Sequence, residues 1–451
     1  MQIHFIAIGG AAMHSLAIAL HQKGYTITGS DDEIVDPARS QLEKHGLLSS
    51  ATGWYPERIH KALDAVILGM HARKDNPELL RAQELGVKVY SYPEFLFHET
   101  RGKTRVVIAG SHGKTTITSM VMHALKRLGY QFDYMVGSRL AGFENMVKLD
   151  RNNTIAVFEG DEYLSSCIDP RPKFLLYSPH IALISGIAWD HMNVFPTREI
   201  YANQFVEFIK AIPADGCLVY CAADASLQHL VNESPHPRLV PYDVPAYTVA
   251  EGVTMLEHEG RYPLKVFGKH NMLNLMGAKC VCNQLGIADM KFYEAMTDFT
   301  GAGKRLQLLG KNSKTAVYLD FAHSPSKVEA TIQAVKEQYP GQRLIACLEL
   351  HTFSSLSRGF LVEYRHTMED ADMAAVYYNP ETIRHKKLEM FPEEEVRQAF
   401  DKKGLLVFTG REGLEQFLMA QEWGNAVLLL MSSGTFSGIN TNQMTEKILK
   451  Q

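Results

Sequence analysis

Tryptophan and cysteine are scarce in this sequence: its 451 residues include three tryptophans and six cysteines. Cys167, Cys217, Cys221, Cys280, Cys282 and Cys347 form no C-x-x-C pair. A disulfide framework has no support here, and reduced, mostly buried thiols are expected. No apolar run approaches the length of a membrane span. An excess of either charge is lacking as well. Forty-six Lys and Arg against 50 Asp and Glu leave a net charge of −4, which argues against a general nucleic-acid or membrane-surface binder. No charged leader with an apolar core stands before the first strand, and the cytoplasm is the expected compartment. What the chain does have is length and apolar content. With 46% hydrophobic residues it is too long for one core, so about two to four domains are expected.

The most informative stretch is Val106-Val107-Ile108-Ala109-Gly110-Ser111-His112-Gly113-Lys114-Thr115-Thr116. A β-branched run meets a glycine turn, and a helical pattern follows at once. Gly110 and Gly113 let the backbone turn tightly and present N–H groups to an anion. The helix beginning near Lys114 adds unsatisfied donors and a positive dipole end. In a phosphate-binding loop of this kind Lys114 reaches the β- and γ-phosphates, and the Thr115 hydroxyl holds Mg²⁺. Counted from Gly110, the spacing is tighter by two residues than the common G-x-x-x-x-G-K-[ST] form.

The chain opens with Ile3-His4-Phe5-Ile6-Ala7-Ile8-Gly9-Gly10, a strand and a small-residue turn, followed by helical spacing of Met13, Leu16, Ala17 and Leu20. Gly24 ends that helix, and Tyr25–Asp31 reads as a second strand. Asp31 lies about twenty residues past the turn, where an acid meets a ribose or base in dinucleotide-type folds. Ala7 and Ala12 stand where that fingerprint has glycines, so the unit reads equally as plain α/β packing. Further strand–helix pairs are expected at 64–70 with 76–85 and at 87–92 with 93–98, and the polar stretch 99–104 as a linker. Beyond the phosphate loop, strands are expected at 154–158, 174–177 and 181–187. The first leads into Glu159-Gly160-Asp161-Glu162 and the last into Asp190-His191. Ligands in open α/β sheets bind at such carboxyl ends. Asp161 and Glu162 also suit the first turn of a helix. Asn271 and Asn274 fall on one face of a helix opened by Gly268. A third α/β segment contains Arg305, Asp320-Phe321-Ala322-His323, and a small-residue loop, Ser432-Ser433-Gly434.

These residues together make the chain similar to the Mur ligases, ATP-dependent amide-forming enzymes of peptidoglycan assembly. The resemblance spans essentially the whole length. It rests on Gly110–Thr116, Glu159 with Asp161-Glu162, Asp190-His191, His270-Asn271-x-x-Asn274, Gly303-Lys304-Arg305 and Asp320-Phe321-Ala322-His323-x-Pro325. His4-Phe5-x-x-Ile8-Gly9-Gly10-x-x-Met13 with Gly29-Ser30-Asp31 resembles the branch that takes UDP-N-acetylmuramate itself. One member of that branch adds L-alanine. Another adds the tripeptide L-alanyl-γ-D-glutamyl-meso-diaminopimelate in cell-wall recycling. Asp161-Glu162-Tyr163, Asp169-x-Arg171-x-Lys173-Phe174 and Met431-Ser432-Ser433-Gly434 resemble the tripeptide enzyme more closely; His351 points toward the alanine enzyme, although Leu350-His351-Thr352 matches neither pattern. The resemblance therefore implies the tripeptide as acceptor, with L-alanine as the alternative. Gly186-Ile187-Ala188 replaces the branch's usual Asn-Ile-Glu.

The resemblance implies three α/β domains: a Rossmann-like UDP-sugar domain (1–102), a central P-loop ATPase-type domain (103–302) and a Rossmann-like C-terminal domain (303–451) completing the ATP and acceptor sites. It implies ATP and Mg²⁺ as cofactors, with Lys114, Glu159 and His191 catalytic, and Thr115, Glu159 and His191 as metal ligands. ATP contacts are implied for Gly110, His112, Gly113, Lys114, Thr115, Thr116, His270, Asn271, Asn274, Arg305 and Asp320. UDP-sugar contacts fall to Gly9, Gly10, Met13, Ser30 and Asp31, and acceptor contacts to His323 and His351. The expected assembly is a monomer or weak homodimer without nucleic-acid or membrane partners. Two rivals explain less. A dinucleotide-dependent oxidoreductase accounts for the first βαβ unit but not for Lys114, Glu159 and His191. A nucleotide-driven switch leaves the other α/β domains without a purpose.

Overall fold

The computed structural model describes the chain except for Arg139, residues 190–193, Pro235 and Pro237. It forms two compact units, Met1–Asp243 with Leu275–Ala295, and Val244–Asn274 with Met296–Gln451.

The first unit holds two sheets. One consists of β1 (Gln2–Ile6), β2 (Thr26–Ser30), β3 (Ala65–Leu68) and β4 (Val89–Ser91), all parallel, in the order β2-β1-β3-β4. Its helices begin and end where the sequence provides caps. Asn76 accepts from Glu78 N and Leu79 N to start the helix Pro77–Leu85, and Gly86 ends it in the left-handed region. Ser91 and Glu94 form a capping box at the next helix, Tyr92–Glu99. After β1 the chain turns at Ala7, whose φ of 65° is unusual for a residue with a Cβ. Two hydrogen bonds hold it there, from Ala7 N and Ile8 N to Ser30 O.

The other sheet of this unit contains β5 (Thr104–Ala109), β6 (Asp133–Met135), β7 (Val147–Lys148), β8 (Ile155–Glu159), β9 (Ile181–Ile184), β10 (Cys217–Cys221) and β11 (Leu239–Tyr242). The order is β11-β10-β9-β5-β8-β6-β7, parallel except for β7. Helices cover both faces of such a sheet, and β5 and β9 are accordingly near-continuous apolar runs. The strand order reverses around β5, which makes its carboxyl end a topological switch point. Register places Ile108 beside Glu159 and Ala109 beside Ile184, so both neighbouring strands end next to the loop that follows β5. The strand expected at 174–177 is instead a 3-10 helix, Lys173–Tyr177, between Pro172 and a left-handed Ser178. Phe174 there packs edge-on against Phe208 at 4.8 Å, which a helical turn permits.

In the second unit β12 (Tyr247–Ala250), β13 (Val253–Glu257) and β14 (Arg261–Leu264) form an antiparallel meander. Thr254 Oγ1 ties it to Gln338 Oε1 on the helix Pro325–Gln338. The main sheet has β15 (Gln307–Lys311), β16 (Thr315–Asp320), β17 (Arg343–Leu350), β18 (Met373–Tyr378), β19 (Leu406–Phe408) and β20 (Ala426–Met431), in the order β15-β16-β20-β17-β18-β19. Only β15 runs antiparallel. Alternate residues of β17 feed separate cores, Leu344, Ala346 and Leu348 one, Ile345 and Cys347 the other. The six thiols are unpaired, five of them buried. Among the described residues no helix is long and apolar enough to cross a membrane.

Candidate active site

The loop after β5 is shaped by its two glycines. Gly110 has φ +122°, and a Cβ there would lie 2.4 Å from Ser185 Oγ and 2.7 Å from Ser185 N. Gly113, at φ 74°, precedes the helix Lys114–Arg127, and no side chain caps that helix. Its first N–H groups therefore remain as donors at the positive end of the dipole. Ser185, just past β9, supports the loop from below. Its N donates to Ala109 O and its Oγ bonds His112 O, while Ser111 N donates to Gly186 O. A Cβ on Gly186 would sit tightly, 3.0 Å from Asp224 Oδ2, which already accepts Ile187 N, at a φ of +156° that side chains rarely adopt. The hydroxyl of Ser111 is buried without a partner among the described residues.

Two carboxylates from the end of β8 flank this loop. Thr115 Oγ1 donates to Glu159 Oε1 at 2.8 Å, and Gly137 N donates to Glu159 Oε2 at 2.8 Å. Lys114 Nζ donates to Gly110 O at 2.6 Å and to Glu162 Oε2 at 2.7 Å. Burial pulls the Lys114 ammonium toward a lower pKa, but Glu162, Asp161 and Glu159 together outweigh it and hold the group above its ordinary value. Lys114 thus stays charged at neutral pH. No helix begins at Asp161 or Glu162, contrary to the helix-start reading: Asp161 pairs with Lys173 at 2.6 Å and Glu162 with Lys114. The sequence placed Glu162 in the acidic cluster after Glu159 without assigning it a partner, and passed over Tyr201, Ser185 and Gly137, which carry no motif signal. Asp190 and His191 lie outside the described residues. Among those described, no three His, Cys, Asp or Glu side chains form a metal cluster. Thr115 and Glu159 offer two hard oxygens, a donor set that suits Mg²⁺ when phosphate and water complete the shell.

The turn after β1 brings together the other N-terminal residues. Gly9 N donates to Asp31 Oδ2 at 2.7 Å, and a Cβ on Gly9 would crowd that oxygen at 2.9 Å. Burial raises the Asp31 carboxyl, with Asp32 adding to the shift. Gly10 precedes the helix Ala11–Gln22 without a side-chain cap, and Met13 is buried within it. Ser30 Oγ accepts from Arg58, whose guanidinium lies 4.0 Å from the Tyr55 ring centroid.

In the second unit several polar candidates are engaged by their own backbone. Asn271 Nδ2 donates to Phe267 O at 2.9 Å, and Asn274 Nδ2 lies 3.5 Å from Asn271 Oδ1. His270 is partly buried, and desolvation lowers its pKa against the pull of Asp320 and Glu337. Asp320, at the end of β16, accepts Leu306 N and Ala322 N, each at 2.6 Å. Lys304 and Leu306 both have positive φ, so this carboxylate holds a strained turn in place. Arg305, inside that turn, lies 4.4 Å from the Phe321 ring centroid. Asp320→Asn retains one acceptor and opposes an NH₂ to the other N–H. It is expected to cost about 2–4 kcal/mol and to speed hydrogen exchange at Leu306 and Ala322. His323 Nδ1 contacts Phe321 O at 2.7 Å. His351 is 41% exposed and 4.0 Å from Glu349, which also accepts Ser432 Oγ and Phe436 N.

Family models match in three successive stretches: residues 2–104 fit the Mur ligase family catalytic domain, 108–282 the Mur ligase middle domain, and 304–434 the Mur ligase glutamate ligase domain. A UDP-N-acetylmuramate–L-alanine ligase from Desulforamulus reducens is 30% identical over 390 residues, covering 82% of this chain and 81% of the relative. The chain belongs to the Mur ligase family. It is an ATP-dependent ligase that forms amide bonds, as that family does. A second Mur ligase relative, the UDP-N-acetylmuramate–L-alanine ligase of Aquifex aeolicus, is 26% identical over 92% of this chain and 96% of its own. Solved Mur ligase structures share the fold. The UDP-N-acetylmuramate–alanine ligase of Thermotoga maritima aligns with a TM-score of 0.71 at 21% identity, over 100% of this chain and 98% of its own. The murein peptide ligase of Psychrobacter arcticus aligns at 0.66 and 22% identity, over 100% and 99%.

Proposed function

We propose that this Mur ligase uses ATP to activate the carboxylate of UDP-N-acetylmuramate and joins it to L-alanine. The observation carrying the ATP chemistry is the charged Lys114, held across the phosphate loop beside the Thr115–Glu159 pair. The acceptor is supported by the curated relatives, named L-alanine ligases at 26–30% identity. In this reading residues 1–102 take the UDP-sugar, through Gly9, Gly10, Met13, Ser30 and Asp31. Residues 103–302 take the triphosphate, and residues 303–451 complete the ATP and acceptor sites, with His323 and His351 toward the acceptor.

Two anions must meet when a carboxylate attacks a γ-phosphate. Lys114 and the loop N–H groups supply the compensating charge, fixed in advance. The γ-phosphoryl group passes to the carboxylate, giving an acyl phosphate and ADP. The acceptor amine then attacks the carbonyl carbon, phosphate departs, and the amine's proton is lost as the amide forms. Thr115 and Glu159 are the residues that would hold Mg²⁺, with His191 assigned to a second position by resemblance; the ion, when bound, neutralises phosphate charge. A second reading, with the tripeptide as acceptor, is favoured by Asp161-Glu162-Tyr163 and Lys173. Asp161 pairs with Lys173, whose backbone N donates to Tyr163 O.

Phosphate release from MgATP and UDP-N-acetylmuramate, with L-alanine or the tripeptide as acceptor and the product identified by mass, decides between them. Turnover with L-alanine is expected. Turnover with the tripeptide alone moves the enzyme to cell-wall recycling, and silence with both acceptors rejects the substrate assignment.

A further inference from the structure

The phosphate loop has a partner that its motif does not contain. Glu162 is fully buried on an irregular stretch, where an ionised carboxylate is costly unless paired. Each of its oxygens is held from a different side. Oε2 accepts from Lys114 Nζ at 2.7 Å, and Oε1 accepts from Tyr201 OH at 3.1 Å. Tyr201 is itself buried on the helix Arg198–Lys210. Its ring is clamped by Phe195 and Phe205, with centroids at 5.5 and 5.2 Å. The phenol cannot swing away without disturbing that aromatic cluster. A rigid group therefore fixes a carboxylate, which in turn fixes a flexible lysine.

An unrestrained lysine carries considerable rotamer entropy, which must be given up when its ammonium is held in one place. Here two of the three ammonium N–H groups are committed, to Gly110 O and Glu162, leaving the third for a phosphate oxygen. We propose that Glu162 and Tyr201 are positioning residues that hold the Lys114 ammonium over the phosphate loop for γ-phosphoryl transfer. The proposal rests on the reading of Lys114 as the counter-charge to the γ-phosphate. It carries a cost that can be measured. The Glu162 carboxylate competes with the γ-phosphate for the same ammonium, so orientation is gained at the expense of ground-state affinity.

The test compares wild type, Glu162→Gln and Tyr201→Phe. Calorimetry measures Mg²⁺-supported binding of a non-hydrolysable ATP analogue and of ADP, and steady-state phosphate release gives kcat and KM. For Glu162→Gln the affinity ratio of analogue to ADP is expected to rise about threefold or more, while kcat falls about tenfold or more without a rise in the KM for ATP. Tyr201→Phe keeps the ring, and a fall in kcat of about threefold or more at unchanged KM and melting temperature is expected. A merely structural role predicts weaker binding of both nucleotides in step with a lower melting temperature, and that result overturns the proposal. So does an unchanged affinity ratio, or a Tyr201→Phe enzyme with wild-type kcat. If wild type turns over neither acceptor, the substrate assignment falls, and the binding ratio alone still judges Glu162. If Glu162→Gln does not fold, the kcat of Tyr201→Phe decides.

Discussion

Replacing Lys114 with methionine is expected to abolish acceptor-dependent phosphate release, a loss of about a thousandfold or more. The apolar stem is retained, so the effect isolates the charge. Stability should fall as well. Glu162 is fully buried while Lys114 is 15% exposed, and methionine takes the Lys114 ammonium away from that carboxylate. Removing one partner of a buried pair costs about 3–5 kcal/mol. Adding Glu162→Gln to the methionine variant removes the carboxylate charge that Lys114 had balanced, so most of the stability should return while the activity stays lost. Urea unfolding and a coupled phosphate assay on the single and double variants separate the two contributions. Recovery of turnover in the double variant would exclude Lys114 from the chemistry.

Gly110→Ala is expected to be almost as damaging, for a reason of space rather than charge. The new Cβ would lie 2.4 Å from Ser185 Oγ and 2.7 Å from Ser185 N, at a φ of +122°. Only glycine adopts that backbone region readily. Strain of about 1–3 kcal/mol adds to overpacking of about 1–3 kcal/mol, and the loop must shift to relieve both. Its N–H groups would then miss the phosphate by a good fraction of an ångström, and a fall in kcat of at least about a hundredfold should follow. Ser185→Gly in the same chain removes the hydroxyl but neither the Ser185 backbone nitrogen nor the strained φ. Partial recovery of melting temperature with little recovery of kcat is therefore the expected double-variant result.

Local signals in the chain carried much of the fold. The apolar runs of β5 and β9, the Asn76 and Ser91 caps and the glycines around Lys114 all act over a few residues, and each reads directly from spacing. Phe174–Tyr177 misleads because an apolar run of four suits a buried strand or a buried turn equally. The meander β12–β14 escaped notice because its first turn is Glu251-Gly252, with glutamate at φ 52° where asparagine or aspartate is usual. In the candidate site, the closeness of Thr115 to Glu159 beside Lys114 was readable from the motif and the strand end. The contacts of Glu162 with Tyr201 and of Ser185 with His112 were not, because parallel crossovers bring distant segments together. Asp320 and Asn271 show the converse: both stood out by residue type, and both are occupied by backbone groups nearby.

The support of Ser185 beneath the phosphate loop has a consequence for how the molecule is made. Ser185 Oγ and His112 O meet across 73 residues of sequence. On the ribosome, β5, the glycine turn and Lys114 emerge long before β9. Until β9 docks, nothing underlies Gly110, and the loop has no reason to hold its shape. ATP therefore has no hold on the growing chain and stabilises only a sheet whose central three strands are already in register. Nucleotide protection of the loop against a protease, followed on released chains truncated before and after residue 187, is expected only in chains that include β9.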